Sequence, residues 1–153
     1  MKNKFQLAPD NYRFTPLHWA VEFNRPQIVE CIAKHLKSTN SSEFMEIKNK
    51  YGQTALQWSA IEGNIQPLTT LLKYNAKLSA TDNDGNTALH LATSNRRQDA
   101  VEILLSDLQM SKHAKHDIAN VKNASGETAR QIALKLKPKN NELLRLFDKY
   151  NIK

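Results

Sequence analysis

The amino-acid sequence predicts an all-α protein: four helix-turn-helix repeats stacked into a solenoid and joined by short turns or hairpin loops. Three observations carry this expectation. The segments Thr15-Pro16-Leu17-His18-Trp19-Ala20, Thr54-Ala55-Leu56-Gln57-Trp58-Ser59, Thr87-Ala88-Leu89-His90-Leu91-Ala92 and Thr128-Ala129-Arg130-Gln131-Ile132-Ala133 align with one another. Three of the chain's 4 glycines, Gly52, Gly85 and Gly126, stand two residues before a repeat threonine. Beyond each segment, apolar residues recur at helical spacing on one side only, as in Ile28, Val29, Ile32 and Ala33, or Ala100, Val101, Leu104 and Leu105.

Each period opens with a turn. Asp10, Asn49, Asp82 and Asn123 precede the four threonines by five residues, and such short side chains hydrogen-bond the backbone of their own turn. Gly52, Gly85 and Gly126 supply the positive φ that a tight turn demands, and Arg13 stands where the first repeat would have its glycine. Thr15, Thr54, Thr87 and Thr128 are then placed to cap a helix, and Pro16 fits the first helical position, where a missing N–H costs nothing. These first helices should end near Asn24, Gly63 and Arg96. A second helix follows in each repeat. Pro67 should interrupt the start of the second one, leaving Leu68, Leu71 and Leu72 as its stripe.

The repeat threonines lie 39, 33 and 41 residues apart, so the middle spacing reads as the basic period and the others as that period with insertions. The insertions fall at about 37–47 and 106–121. Leu36, Phe44, Met45 and Ile47, and likewise Leu108, Met110 and Ile118, are too apolar for solvated linkers. Lengthened second helices followed by ordered loops are expected, both bulging on one side. The whole chain, 1–153, is expected to form one domain with repeats at about 10–47, 48–80, 81–121 and 122–153.

These features resemble the ankyrin repeat, including its T-P-L-H signature, over roughly residues 10–150. The second and third repeats match well, the first departs at Arg13, and the fourth is degenerate. There Arg130 replaces a leucine, and Leu143, Leu146 and Phe147 fit the second helix only with one residue added. A polar outer face is what a terminal repeat needs, having no neighbour to cover it. The resemblance implies a structural role for His18 and His90, bonded to backbone and tying turn to helix, with Gln57 and Gln131 in their place in the other two repeats. It also implies a partner lying across the concave side, on turn tips and first-helix positions.

Composition narrows the classes. Hydrophobic residues make up 40% and charged residues 24%, as in an ordinary soluble globular protein. No apolar run is long enough to cross a bilayer, and the N-terminus lacks the apolar core of a secretory signal. Cys31 is the only cysteine, so an intramolecular disulfide is excluded and a cytoplasmic location is expected. A start at Met1 and a polar ending suit a complete chain. The abundance of asparagine and lysine suggests an AT-biased genome, and with the resemblance it raises an effector-type protein working in a host cytoplasm. The net charge is +7, concentrated in residues 130–153 with Arg130, Lys135, Lys137, Lys139, Arg145, Lys149 and Lys153. That end is nearly free of aromatic residues, which disfavours nucleic acid as the partner.

No catalytic constellation stands out, and neither an enzymatic activity nor a cofactor is expected. Cys31 with His35 one turn later is the nearest approach to a nucleophile and base, but an inert, partly buried cysteine is the simpler reading. His113, His116 and Asp117 could share a metal on a helix, yet no further Cys or His lies nearby in sequence, and a solvated loop is preferred. Surface remains. The positions that the resemblance assigns to partner contact are Asn11, Tyr12, Phe14, Glu22 and Phe23; Lys50, Tyr51, Gln53, Ile61 and Glu62; Asn83, Asp84, Asn86, Ser94 and Asn95; and Glu127, Lys135 and Leu136. Tyr12, Phe14, Phe23, Lys50, Tyr51, Gln53, Ile61, Asn83, Asp84 and Asn86 are the leading candidates, because aromatic residues anchor interfaces. Trp19 and Trp58 are expected mainly to pack. A monomeric, non-catalytic scaffold binding an unidentified protein is the expected function. The alternatives are an anionic ligand, RNA or a phosphoinositide surface, on the basic fourth repeat, and a regulatory piece of a larger enzyme.

Overall fold

The structure is a computed structural model that describes residues 11–110, 118–136 and 142–152. Among these residues are eight α-helices, one 3-10 helix at Ser42–Glu46, and no strand. They come in four pairs: α1 (Pro16–Glu22) with α2 (Pro26–Ser38), α3 (Ala55–Glu62) with α4 (Ile65–Lys73), α5 (Ala88–Ser94) with α6 (Gln98–Met110), and α7 (Ala129–Lys135) with α8 (Glu142–Lys149). The first helices α1, α3, α5 and α7 touch in series, as do the second helices α2, α4, α6 and α8. The result is two helical layers around one continuous apolar core: an ankyrin-type solenoid.

The first helices all begin for one reason. Thr15, Thr54 and Thr128 accept the backbone N–H three residues on, from His18, Gln57 and Gln131. In return, the side chain at that third position accepts the N–H of the capping threonine itself: His18 Nδ1 at 3.3 Å, Gln57 Oε1 at 2.9 Å, His90 Nδ1 at 3.3 Å and Gln131 Oε1 at 2.9 Å. Two of the orphan donors at each helix start are thus satisfied reciprocally. The first three stop where the chain turns left-handed, with positive φ at Asn24, Gly63 and Arg96, whereas the fourth ends at Leu136 with φ of −72°. Pro67 does not delay α4. It lies in the first turn, where its N–H would have had no intrahelical acceptor, so the helix already runs from Ile65 and the proline ring is buried.

The turns repeat one pattern. Asn49 Oδ1 accepts from the N–H groups of Tyr51 and Gln53, Asp82 from Asp84 and Asn86, and Asn123 from Ser125 and Glu127. Gly52, Gly85 and Gly126 carry the positive φ, and Arg13 adopts it too, at +56°, without the benefit of a missing Cβ. Successive tips are joined by single backbone bonds: Lys50 N–H to the Tyr12 carbonyl, Asn83 to Tyr51, and Ala124 to Asp84.

Both α2 and α6 run for 13 residues against 9 in α4, so the insertions do begin as longer second helices. After α2, the 3-10 helix drives Met45 into the core while Phe44 and Ile47 stay exposed. Glu46 then accepts the N–H of Lys77 at 2.9 Å, tying this insertion to the turn after α4. Whether the second insertion bulges on the same side depends on 111–117, which lie outside the described residues. In the fourth pair, Leu143 and Phe147 are buried, and Arg130 turns its guanidinium to Asp148 at 2.7 Å.

Candidate protein-binding face

The side chain at the third position of each first helix does more than close a cap. Nε2 of His18 donates to the carbonyl of Gln53 at 2.9 Å, and Nε2 of His90 to that of Glu127 at 3.0 Å. Gln57 donates through its amide to the carbonyls of Asn86 at 2.8 Å and Ala80 at 3.1 Å. Each of these residues therefore locks its own helix to the turn of the next repeat. The bonding fixes a neutral imidazole: Nε2 carries the proton, and Nδ1 accepts from threonine. Burial pushes the His90 pKa below the ordinary imidazole value, against the pull of the Glu127 carbonyl.

These locks carry the turn tips, and the tips carry a band of aromatic side chains over the first two repeats. Tyr12 and Tyr51, from adjacent tips, have ring centres 6.3 Å apart, and Tyr12 lies 5.7 Å from Phe14. The Lys50 ammonium sits over Tyr12 at 4.1 Å and over Tyr51 at 4.9 Å. Phe14 stacks on His18 at 5.3 Å and meets Trp19 at 5.1 Å and Trp58 at 5.0 Å, both edge-on. Trp19 in turn stacks on Phe23 at 5.7 Å, one turn along α1. Tyr12, Trp19, Phe23 and Tyr51 are all exposed, Phe23 most of all at 62%. Tyr12, Phe14, Trp19, Glu22 and Trp58 line a recess of about 260 Å³.

Several expectations need correcting here. Gln53 is buried, 9% exposed, instead of lying open at the tip. Its side chain accepts from Asn49 Nδ2 at 3.1 Å and its backbone carbonyl accepts a hydrogen bond from His18 Nε2, so the turn consumes it. Trp19 packs edge-on to Phe14 and stacks on Phe23, yet keeps 39% of its surface in solvent. Trp58 does pack against the core, half-buried, while its indole N–H donates to Glu22 at 2.8 Å on the surface. Cys31 is exposed rather than partly buried, because it points away from the α2 stripe of Val29 and Ala33.

Among the remaining candidates, Asn83 and Asp84 are exposed on the third tip, with Asn83 Nδ2 donating back to the Lys50 carbonyl. Asn86 is half-buried and spends its side chain on Asp82 and Asn123, so it supports the tips rather than offering a contact. Ile61 is half-buried, and its carbonyl accepts from Arg97 Nε at 2.8 Å. His113, His116 and Asp117 lie outside the described residues. Among those described, no three His, Cys, Asp or Glu side chains converge as metal ligands would, and no helix is long and apolar enough to cross a membrane.

At the basic end, the described cations face carboxylates, while Lys137, Lys139 and Lys153 lie outside the described residues. Arg130 pairs with Asp148, Lys135 with Glu127, Arg145 with Glu142, and Lys149 with Glu102 of α6 at 2.6 Å. Every described Lys or Arg of residues 130–152 thus has a carboxylate partner.

The fold and its turn-to-helix locks define a helical repeat protein with an exposed face. A family model of ankyrin repeats in three copies matches residues 31–118, and a single ankyrin-repeat model matches residues 12–40. The chain belongs to the ankyrin-repeat family. It is similar to inversin of Canis lupus familiaris (33% identical, over 62% of this chain and 8% of that protein). It is also similar to the palmitoyltransferase AKR1 of Lachancea kluyveri (31% identical, over 52% of this chain and 15% of that protein). A smaller relative is the Notch-regulated ankyrin repeat-containing protein of Xenopus tropicalis, 36% identical over 42% of this chain and 56% of that protein. The chain covers less than two thirds of the length of each. Ankyrin repeats are in general protein–protein interaction modules.

Proposed function

We propose that the chain is a non-catalytic scaffold that docks a protein partner, as a monomer in the cytoplasm, across the face carrying Tyr12, Phe14, Phe23, Lys50, Tyr51, Asn83 and Asp84. One observation carries the reading: stacking leaves Tyr12, Trp19, Phe23 and Tyr51 in solvent, side by side across two repeats. Exposed aromatic residues in a contiguous set are the composition of an interface core, where water is expelled and the rings anchor the partner. An anionic ligand on the fourth repeat has less support, because each described cation there already faces a carboxylate.

The test compares two variants as baits in affinity capture with mass spectrometry. The double variant Phe23→Ala, Tyr51→Ala should lose a partner that Lys135→Gln, Arg145→Gln, Lys149→Gln retains. The opposite pattern, with capture collapsing as salt rises, would replace the reading with the anionic one.

A further inference from the structure

We infer that the recess between the first two repeats is a cage for a methylated lysine side chain of the protein partner. The inference rests on the docking face proposed above and names the chemistry of what enters it. Four of its five lining side chains are aromatic (Tyr12, Phe14, Trp19 and Trp58), and the fifth is a carboxylate, Glu22. Both indole rings stand steeply to Phe14, at interplanar angles of 65° and 68°, so the three rings meet around the recess rather than stacking flat on one another. Tyr12, tilted at 51° to Phe14, bounds the remaining side. A recess of about 260 Å³ lies just below the roughly 300–1,000 Å³ typical of pockets for whole small molecules, and suits the end of one side chain.

Charge selects the occupant. The π faces of aromatic rings attract cations, and methylated ammonium groups favour such sites because they shed water more readily than a bare ammonium. The same cluster already holds an ammonium, that of Lys50 over Tyr12 and Tyr51, which shows its rings accepting a cation. Glu22 adds a formal negative charge to the lining, and its position is fixed by the Trp58 indole N–H at 2.8 Å. An anionic or purely apolar group would forfeit that charge. A carboxylate also accepts a hydrogen bond, which monomethyl- and dimethyl-lysine can still donate and trimethyl-lysine cannot. The lower methylation states should therefore bind best. A protein source is favoured over a free amine because the recess opens beside Phe23 and Tyr51, which offer flanking residues an anchoring surface.

The chain's 2 tryptophans both line the recess, so intrinsic fluorescence reports its occupancy directly. The full chain is titrated with a short neutral peptide containing one lysine in unmodified, monomethyl, dimethyl and trimethyl form. Further arms are the same peptide with an uncharged tert-butyl isostere of trimethyl-lysine, and free tetramethylammonium. Saturable quenching by the dimethyl peptide is expected, about ten-fold tighter than by the unmodified or isosteric peptide, which is the scale of a desolvated cation–π site. Glu22→Gln, which keeps an acceptor for Trp58 but removes the charge, should weaken the dimethyl peptide several-fold with an unchanged circular dichroism spectrum. Equal binding of the isostere would show a merely hydrophobic pocket and overturn the cage. Tetramethylammonium binding as tightly as the peptide would overturn the protein source. Absence of saturation with every peptide would overturn the inference while leaving the docking face standing, provided Phe23→Ala, Tyr51→Ala still abolishes partner capture.

Discussion

Gln57 occupies in the second repeat the place that His90 holds in the third, and both make the same two connections. Each accepts the N–H of its capping threonine and donates to a carbonyl of the following turn, Asn86 for Gln57 and Glu127 for His90. A side-chain amide and a neutral imidazole can stand in for one another here because each offers an acceptor for the threonine N–H and an N–H donor for the next turn, and the amide has a second N–H, which it spends on Ala80.

That equivalence predicts the pH response. The folded-state pKa of His90 is lowered by burial, so between that value and about 6.5 the unfolded chain binds more protons than the folded one. Stability should fall as pH drops below about 6.5 and should be at its full value above it. Urea titrations of His90→Gln should show this slope reduced, with stability near neutral pH within about 1 kcal/mol of the parent, since the lock is preserved. His90→Ala should instead lose roughly 1–3 kcal/mol, leaving buried partners unsatisfied.

Two turn glycines share a conformation but not a neighbourhood. Gly52 has φ of +75°, and a Cβ there would lie 2.7 Å from the backbone nitrogen of Asn83 on the next tip. Gly126 has the same φ with nothing within 4 Å. Gly126→Ala should therefore cost only the left-handed strain, about 1–2 kcal/mol. Gly52→Ala must also push the next tip away, and its denaturation midpoint should drop further in a side-by-side thermal melt.

How much of this was legible in the sequence follows from range. The threonine caps, the Asx turns and the positive-φ sites involve residues two to five apart, so spacing alone located them. Gln53 was misplaced because its burial depends on His18, in a different repeat. The recess is hidden for a related reason: Trp19 and Trp58 lie on different helices, and spacing along either one does not bring them together. They stand in the same register of consecutive repeats, which makes them neighbours in any stack, and Glu22 lies one turn from Trp19. That combination was the available signal. Exposure of Cys31 turned on where the α2 stripe faces.

Anchoring by the aromatic face gives a binding prediction. Truncating Phe23 or Tyr51 to alanine should cost about 2 kcal/mol or more of partner affinity, measured by calorimetry once a partner is in hand. Removing the exposed Lys149–Glu102 pair by Lys149→Gln should change both affinity and the denaturation midpoint little, as solvent-screened surface ion pairs do.

The core makes a sharper demand at the last helix. Phe147 is fully buried in α8. Phe147→Ala should cost roughly 3–5 kcal/mol in chemical denaturation, through lost transfer energy and the cavity left behind.

The cage draws its walls from two repeats: Tyr12, Phe14, Trp19 and Glu22 from the first, Trp58 from the second. In a linear array, where each unit leans only on its neighbours, an end unit can fray while the remainder stays folded. An occupant of the cage would act as a staple across that first junction. Its free energy would go into the coupling between two units rather than into either one alone, so hydrogen exchange in α1 and α2 should slow on binding while α6 keeps its own rate. The binding site would then double as a fastening across the junction of the first two repeats, and loss of the occupant would loosen the surface that recognises it.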